Sequence, residues 1–447
     1  MAGRGLLALP RLPQTACHEN KNNNWRPDRH SSGTIIKEVP AMPKPLDGMR
    51  VLEITNVMSG PFAGMLLADM GADVIKVEAL KGDMCRAFPP LINGESVSFS
   101  SLNRNKRSLA VDLKNPRGLA IVKDLAGKAD VLLENNRPGA LEKLGLGAEE
   151  LKKVNSKLVY VSISGFGQTG PDRRRGGINV IAEAASGVMS IYGEPDKMPM
   201  RPGIQTADLF AAMYGAYAAL SGLVGAARLG EGRTADVSLT EAVLAAATWE
   251  ASGFLVTGEV PQRVGHRHRL NAPNQLFETR DGRYIALGSP NDPLFIKMLE
   301  ILDLHDYIDD PRFATYSLRK VNEDALVPLF EEAILNWDGA ELEKVLADAG
   351  VPASVVKDIK EALEDPQMIE RKMVAEADHP KFGRLRMLRN PVLMDKDGPE
   401  IRWAAPLLGE HSAEVLGELG YSESEIADLA QESAIRLMDD PAASESA

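Results

Sequence analysis

The chain has 447 residues, a formal net charge of −12, 44% hydrophobic and 26% charged residues; the length suggests two or three domains, and the composition can fill large cores. The acidic balance argues against nonspecific nucleic-acid binding, which needs a surplus of Lys and Arg against phosphates, but leaves room for a local basic pocket. Two cysteines, Cys17 and Cys85, exclude a disulfide framework and a four-thiolate metal site within the chain and fit a reducing, cytoplasmic compartment.

Residues 1–41 read unlike the rest. A polar run at Lys21-Asn22-Asn23-Asn24, scattered Arg, and Pro10, Pro13, Pro27 and Pro40 without periodicity predict a disordered arm. Six Lys/Arg against three Asp/Glu make a mitochondrial presequence, and with it a matrix location, the alternative; Glu19 and the Asn run speak against it, and Met42 is a second candidate start.

From Leu46 strand and helix signals alternate. Arg50–Thr55 predicts a strand, Ser59-Gly60-Pro61 a turn with Pro61 at a helix start, Phe62–Met70 a helix stopped by Gly71, and Asp73–Glu78 the next strand. Strands at Ser108–Leu113, Ala129–Glu134 and Leu158–Ser164 continue the series, with helices after Pro116 and around Leu141 and Leu151. The alternation predicts an α/β fold with a doubly wound parallel sheet in a large domain over 42–257, and such a sheet binds its ligand at the carboxyl ends of its strands. The glycine turns at Ser59–Pro61 and Ser164–Pro171 are therefore candidate ligand loops. A nicotinamide enzyme is one reading, since Glu78 stands about 20 residues beyond the first turn. Against it, Gly60–Gly64 lacks G-x-G-x-x-G, and Pro61 removes an N–H that a pyrophosphate needs.

The stretch Met200–Gly215 is where the chemistry belongs. Asp208 precedes nineteen residues without a formal charge, Leu209–Ala227, rich in Ala and Gly. Tyr214, Ser221 and three glycines interrupt the run, which predicts a close-packed core helix rather than a membrane span. An Asp at its mouth predicts a cap that accepts a first-turn N–H and is kept ionised by the helix dipole. On this stretch alone Asp208 reads first as a cap, with a nucleophile at the mouth of the helix as the alternative.

Further on, Thr234–Leu239 predicts a strand, Thr240 to about Val256 a helix, and 258–274 an irregular linker. Asp281-Gly282 between Phe277 and Gly288 is a hairpin turn. With helices at 293–302, 325–336 and 340–349 and short strands at 353–356 and 384–388, it predicts a smaller α+β domain over 275–390. The tail, 391–447, returns to helix, with Ser422 and Glu425 as a capping box. His266 and His268 lack a carboxylate or Cys at ligand spacing, so no metal site is predicted; His411 reads as structural.

Several blocks together resemble the class III CoA-transferases. They are Leu46–Glu53; Gly60-Pro61-Phe62-Ala63 with Leu67–Glu78; Asn103–Ser108; Glu134–Gly139; Gly165–Pro171; and Pro406–His411, in family order over about 46–420. The resemblance implies a Rossmann-like large domain with a small domain, two chains threaded through one another as an interlocked homodimer, and a tail that rejoins the large domain. It implies no tightly bound cofactor, with coenzyme A or acyl-CoA and a small organic acid as substrates. A hetero-oligomer, in which this chain is a silent subunit, is the alternative.

By the same resemblance Asp208 is the nucleophile. Its carboxylate attacks an acyl-CoA to give a mixed anhydride and CoA thiolate, and the thiolate then takes the aspartyl carbonyl. Carried over position by position, Val57, Met58 and Ser59 fall in the first CoA-contacting turn, Asn135 at the Glu-Asn position, and Lys143 where relatives carry Arg. Lys106 and Arg107 are phosphate candidates; Ala79 stands where relatives have a basic residue, with Lys81 as its replacement, and Arg173–Arg175 are candidates for steering anions. Relatives that racemise pair the aspartate with a His in Gly-His-Asp, where this chain reads Gly177-Ile178-Asn179, and Ile178 cannot titrate.

Overall fold

The computed structural model describes residues 44–394, 398 and 400–438; the arm at 1–41 and the start at Met42 lie outside them. The central sheet is built from β1 (Arg50–Ile54), β2 (Asp73–Glu78), β3 (Lys106–Val111), β4 (Val131–Glu134), β5 (Val159–Ser164), β6 (Thr234–Ser238) and β7 (Ile435–Arg436). Their spatial order is β7-β3-β2-β1-β4-β5-β6. All neighbours run parallel except β7, which lies antiparallel on β3. The order 3-2-1-4-5-6 is that of the Rossmann sheet, and the direction of winding reverses between β1 and β4.

Both faces of the sheet are covered, which is why its strands read as near-continuous apolar runs. Leu52, Ile75, Leu109 and Leu132 pack against the helix Pro116–Lys128 and the C-terminal helices Ser412–Leu419 and Glu423–Gln431. Val51, Val74, Val131 and Val161, one residue out of phase, face α1 (Ser59–Asp69) and the long helix Thr206–Leu229. The local signals act as expected: Asn115 caps with Pro116 at the first turn, Ser422 and Glu425 form a capping box, and left-handed Gly230 ends the long helix.

A second core, Phe277, Ile285, Leu287, Phe295, Met298, Phe330, Leu342 and Leu346 among others, lies between the antiparallel sheet of Asn274–Glu278, Tyr284–Gly288 and Ala353–Val355 and the helices Asp292–Ile301, Glu323–Ile334 and Gly339–Asp348. The expected strand at 384–388 is half of a hairpin with Val374–His379.

Two expectations need correcting. The strand expected from Ser108 begins at Lys106, which pairs with Val74, so the basic pair sits inside the sheet and not in the loop before it. The helix Thr206–Leu229, long and apolar enough to cross a membrane, is only partly a core helix. Ala207, Ala211, Ala212, Gly215, Ala216, Ala219 and Gly222 are buried, while Met213, Tyr214, Tyr217, Leu220 and Val224 are exposed.

Candidate active site

At the point where the winding reverses, the loop after β1 is tied to the end of β4. Asn135 accepts the Asn56 N–H at 2.8 Å and donates to the Asn56 carbonyl at 2.8 Å and the Ser59 hydroxyl at 3.3 Å. Asn136 donates to the Ile54 carbonyl at 2.9 Å. From the other side the Asp83 carboxylate accepts the Val57 N–H at 3.0 and 3.2 Å. Val57 has φ +66°, a left-handed conformation that a β-branched residue adopts only when its surroundings enforce it. Val57, Met58, Ser59 and Asn135 thus form one rim at the carboxyl ends of β1 and β4. Lys143 is exposed on the short turn Glu142–Leu144 beyond β4 and makes no ion pair among the described residues. Beneath Asn135, burial pushes the Glu134 carboxyl up to about 7 against the hydrogen bonds from Ser162 and Asn136.

Under this rim lies a closed set of charges. Lys76 spends its three N–H groups on Glu53 at 3.2 Å, the Thr55 carbonyl at 3.0 Å and Asp83 at 3.0 Å. Lys106 donates to the Pro61 carbonyl at 2.7 Å and to Asn103 at 2.8 Å and is ion-paired with Glu53 at 2.8 Å. Arg107 is bidentate to Asp73, at 2.9 and 2.6 Å, and also bonds Glu414 and Glu418 at 2.9 and 2.6 Å. The expectation that Lys106 and Arg107 meet a phosphate does not fit: both are buried within the sheet and their donors are committed to protein acceptors. Glu78, the acid of the nicotinamide reading, is equally committed. Burial raises its pKa, but Arg86, bonded at 2.7 and 2.8 Å, and Ser108 at 2.7 Å hold it below the ordinary value, leaving it no free role at a ribose.

The long helix brings Asp208 to the same edge of the sheet. Gly222 lies where a Cβ would strike Val159 at 2.3 Å, and Gly215 where one would strike Ile163 at 2.6 Å, so the helix runs antiparallel to β5 in close contact with it. Seven residues before Gly215, about 10 Å further along the axis, Asp208 stands past the carboxyl end of β5.

Asp208 is not the cap of its helix. Gln205 occupies the cap position without a side-chain bond, and Asp208 lies inside the first turn. Two side chains of the short helix Asn179–Ala185 close the turn instead. Glu183 accepts the Thr206 N–H at 3.1 Å and hydroxyl at 2.6 Å, and Asn179 accepts the Asp208 N–H at 3.2 Å. The half-buried Asp208 carboxylate has no hydrogen bond or ion pair among the described residues. Burial first, and then the charge of Glu183, push its pKa up to about 6. Ionisation at neutral pH therefore holds, at roughly ten to one at pH 7, against its surroundings rather than with the help of a capping bond.

Neither Asp83 nor Glu183 was singled out from the sequence. The one available signal was the four-residue spacing of Asn179 and Glu183, which places both on one face of a helix. Ile178, at the racemase position, is 66% exposed at the start of that helix.

A Rossmann-ordered sheet with a hydrogen-bonded polar turn at its reversal point and a bare carboxylate on the same edge is the arrangement of an α/β enzyme. Residues 46–412 match the family model described as CoA-transferase family III, and the chain belongs to that family, as a CoA-transferase. It is 38% identical over 389 residues to succinyl-CoA:glutarate CoA-transferase of Mus musculus, covering 86% of this chain and 89% of that protein. It is 37% identical over 390 residues to succinyl-CoA--D-citramalate CoA-transferase of Chloroflexus aurantiacus, covering 87% and 97%. The crystal structure of a CAIB/BAIF family protein from Brucella suis superposes with a TM-score of 0.75 at 36% identity, over 84% of this chain and 100% of that one.

Proposed function

We propose that the protein moves CoA from succinyl-CoA to a small carboxylic acid by way of a covalent thioester on Asp208. The observation that carries the reading is the bare, half-buried Asp208 carboxylate past the carboxyl end of β5. The succinyl donor follows from the mouse and Chloroflexus relatives.

The Asp208 oxygen attacks the thioester carbonyl carbon, and the C–S bond breaks with its electron pair leaving on sulfur as CoA thiolate. The thiolate then adds to the aspartyl carbonyl of the mixed anhydride. Its C–O bond breaks, succinate leaves as the carboxylate, and CoA remains on Asp208. The acceptor carboxylate runs the two steps backward and departs as its CoA ester. No net proton is moved, which is why a lone carboxylate without a partnered general base suffices. Each intermediate hydrolyses readily, so the partial burial of Asp208 serves to exclude water.

The nucleotide is assigned to the crevice rim of Val57, Met58, Ser59 and Asn135, with exposed Lys143 as the cation for its phosphates. Lys106 and Arg107 are no longer part of that assignment. The division at 258–274 between a larger CoA-binding domain and a smaller domain over 275–390 is retained. A second copy of the chain is assigned to the exposed apolar side of the long helix together with exposed Trp249, Phe254, Leu255 and Val256 of the later helix Thr248–Thr257, since large exposed apolar patches mark interfaces.

Incubation with succinyl-CoA followed by borohydride tests the mechanism. Mass spectrometry is expected to find Asp208 reduced, and a peptide left unmodified during turnover with a competent acceptor would end the covalent reading.

A further inference from the structure

The turn that carries Asp208 is held from outside its own helix, and the groups that hold it are chemically specific. Asn179 and Glu183 stand four residues apart on the helix Asn179–Ala185, and both are buried. The Asn179 amide is oriented without ambiguity, because only its oxygen can accept the Asp208 N–H. Its nitrogen then faces away from that bond, buried and without a partner. Glu183 spends one oxygen on Thr206; the other is buried without a hydrogen bond and has only Arg201, 53% exposed, at 3.9 Å. A fully buried carboxylate so thinly compensated is costly. A glutamine would close the same turn without the charge.

We propose that Asn179 and Glu183 are positioning residues for the Asp208 nucleophile: together they fix the first turn of its helix, and Glu183 sets a thinly compensated like charge beside the attacking carboxylate. This rests on Asp208 being the nucleophile. A more basic carboxylate is a better attacker on a thioester and a poorer leaving group from the anhydride. Its expulsion is not needed in the forward half-reaction, where succinate is what leaves. Acidic groups on elements packed against the long helix include Asp69 on α1, Glu134 on β4, Asp236 on β6 and Glu241 on the helix Leu239–Ala246. Asp69 is bidentate to Arg104 and Asp236 accepts the Gln168 N–H at 2.9 Å. Burial is the larger cause of the Asp208 pKa of about 6, and the charge of Glu183 adds to it in the same direction; among the described residues the cation at Glu183 is Arg201.

Two substitutions keep the acceptor and change only the charge. Glu183→Gln retains an oxygen for Thr206, and Asn179→Asp retains one for the Asp208 N–H. The acid limb of kcat/KM for succinyl-CoA is to be measured from pH 5 to 8.5 on the purified full-length protein, with Asp208→Asn as the control. Glu183→Gln is expected to move the limb to lower pH and Asn179→Asp to higher pH, each by about half a unit or more, while the melting temperature of Glu183→Gln stays level or rises. Removing the acceptors, with Asn179→Ala or Glu183→Ala, is expected to lower kcat about tenfold with KM for succinyl-CoA little changed.

A purely structural cap predicts an acid limb that stays where it is in Glu183→Gln, and that result overturns the proposal. If Glu183→Gln does not fold, the limb is read in Glu183→Ala, which also removes the charge, and a limb left in place there overturns the proposal instead. An Asp208→Asn protein that exchanges CoA as fast as the parent removes the underlying reading instead, whatever the limb does.

Discussion

Two turns on the carboxyl edge of one sheet are built in opposite ways. At 56–59 the buried cations are matched: Asp83 holds Val57 and is held by Lys76, Glu53 bridges Lys76 and Lys106, and Asn135 closes the rim. At 206–208 the backbone is secured by Asn179 and Glu183, but the one side chain that matters is left bare and a like charge is kept beside it. The difference separates a rigid receiving surface from a reactive group. A surface that must hold a fixed shape gains from saturated hydrogen bonds. A nucleophile paired with a cation would be stabilised in its resting state and attack slowly.

Breaking the reactive side should have the largest effect. Asp208→Asn is expected to lower CoA exchange by about a thousandfold or more and to abolish borohydride-dependent modification, read by rate assay and mass spectrometry. Breaking the receiving side at its buried charges should instead cost stability. Lys106→Met leaves Glu53 short of a partner and is expected to destabilise by about 3–5 kcal/mol in denaturant unfolding. If binding at the crevice survives in the fraction that folds, Lys106 has no direct part in holding a phosphate.

A milder cut at the rim sharpens the contrast. Asn135→Ala removes the bridge between Asn56 and Ser59 and is expected to raise KM for acyl-CoA about tenfold with kcat changed much less, at a cost of about 1–3 kcal/mol. Equal losses in kcat and kcat/KM would place Asn135 on the reactive side. Lys143→Ala, in an exposed position, is expected to raise the same KM only a fewfold, with an effect that fades in high salt.

The smallest effect concerns stability and pH. The Asp208 carboxyl has a folded pKa of about 6, above its ordinary value, so the folded state binds the proton more tightly than the unfolded one. The stability this proton contributes is full only below the ordinary value of 3.8 and is lost as pH rises from there through 6. Asp208→Asn, neutral throughout, is expected to raise the melting temperature by a few degrees at pH 8 and to leave it little changed at pH 4. A rise at both values would mean that the carboxylate is strained for reasons other than its charge.

How much of this was legible beforehand differs between the two turns. The strands at 50–54, 73–78, 131–134 and 159–164 are near-continuous apolar runs, and run length and glycine breaks place them to within two residues or so. Asp208 stood out because a single charge precedes a long uncharged run. The reading of it as a cap failed because Thr206, three residues before the first expected helical residue, already belongs to the helix, and a side chain from 183 does the capping. The basic pair Lys106–Arg107 was misplaced for a related reason. Two cations at a strand start look solvated unless Glu53 and Asp73 are known to lie beside them.

The sequence by itself determined the alternation of strand and helix, the parallel sheet that follows from it, and the ordered motifs that assign the family, because these are properties of neighbouring positions along the chain. Only the tertiary structure decided which charges are spent inside the protein and which one is left to react. Pairing depends on strands and helices from distant parts of the chain arriving side by side, and Glu53 with Lys106 or Asp208 with Glu183 become neighbours only after the sheet has ordered itself.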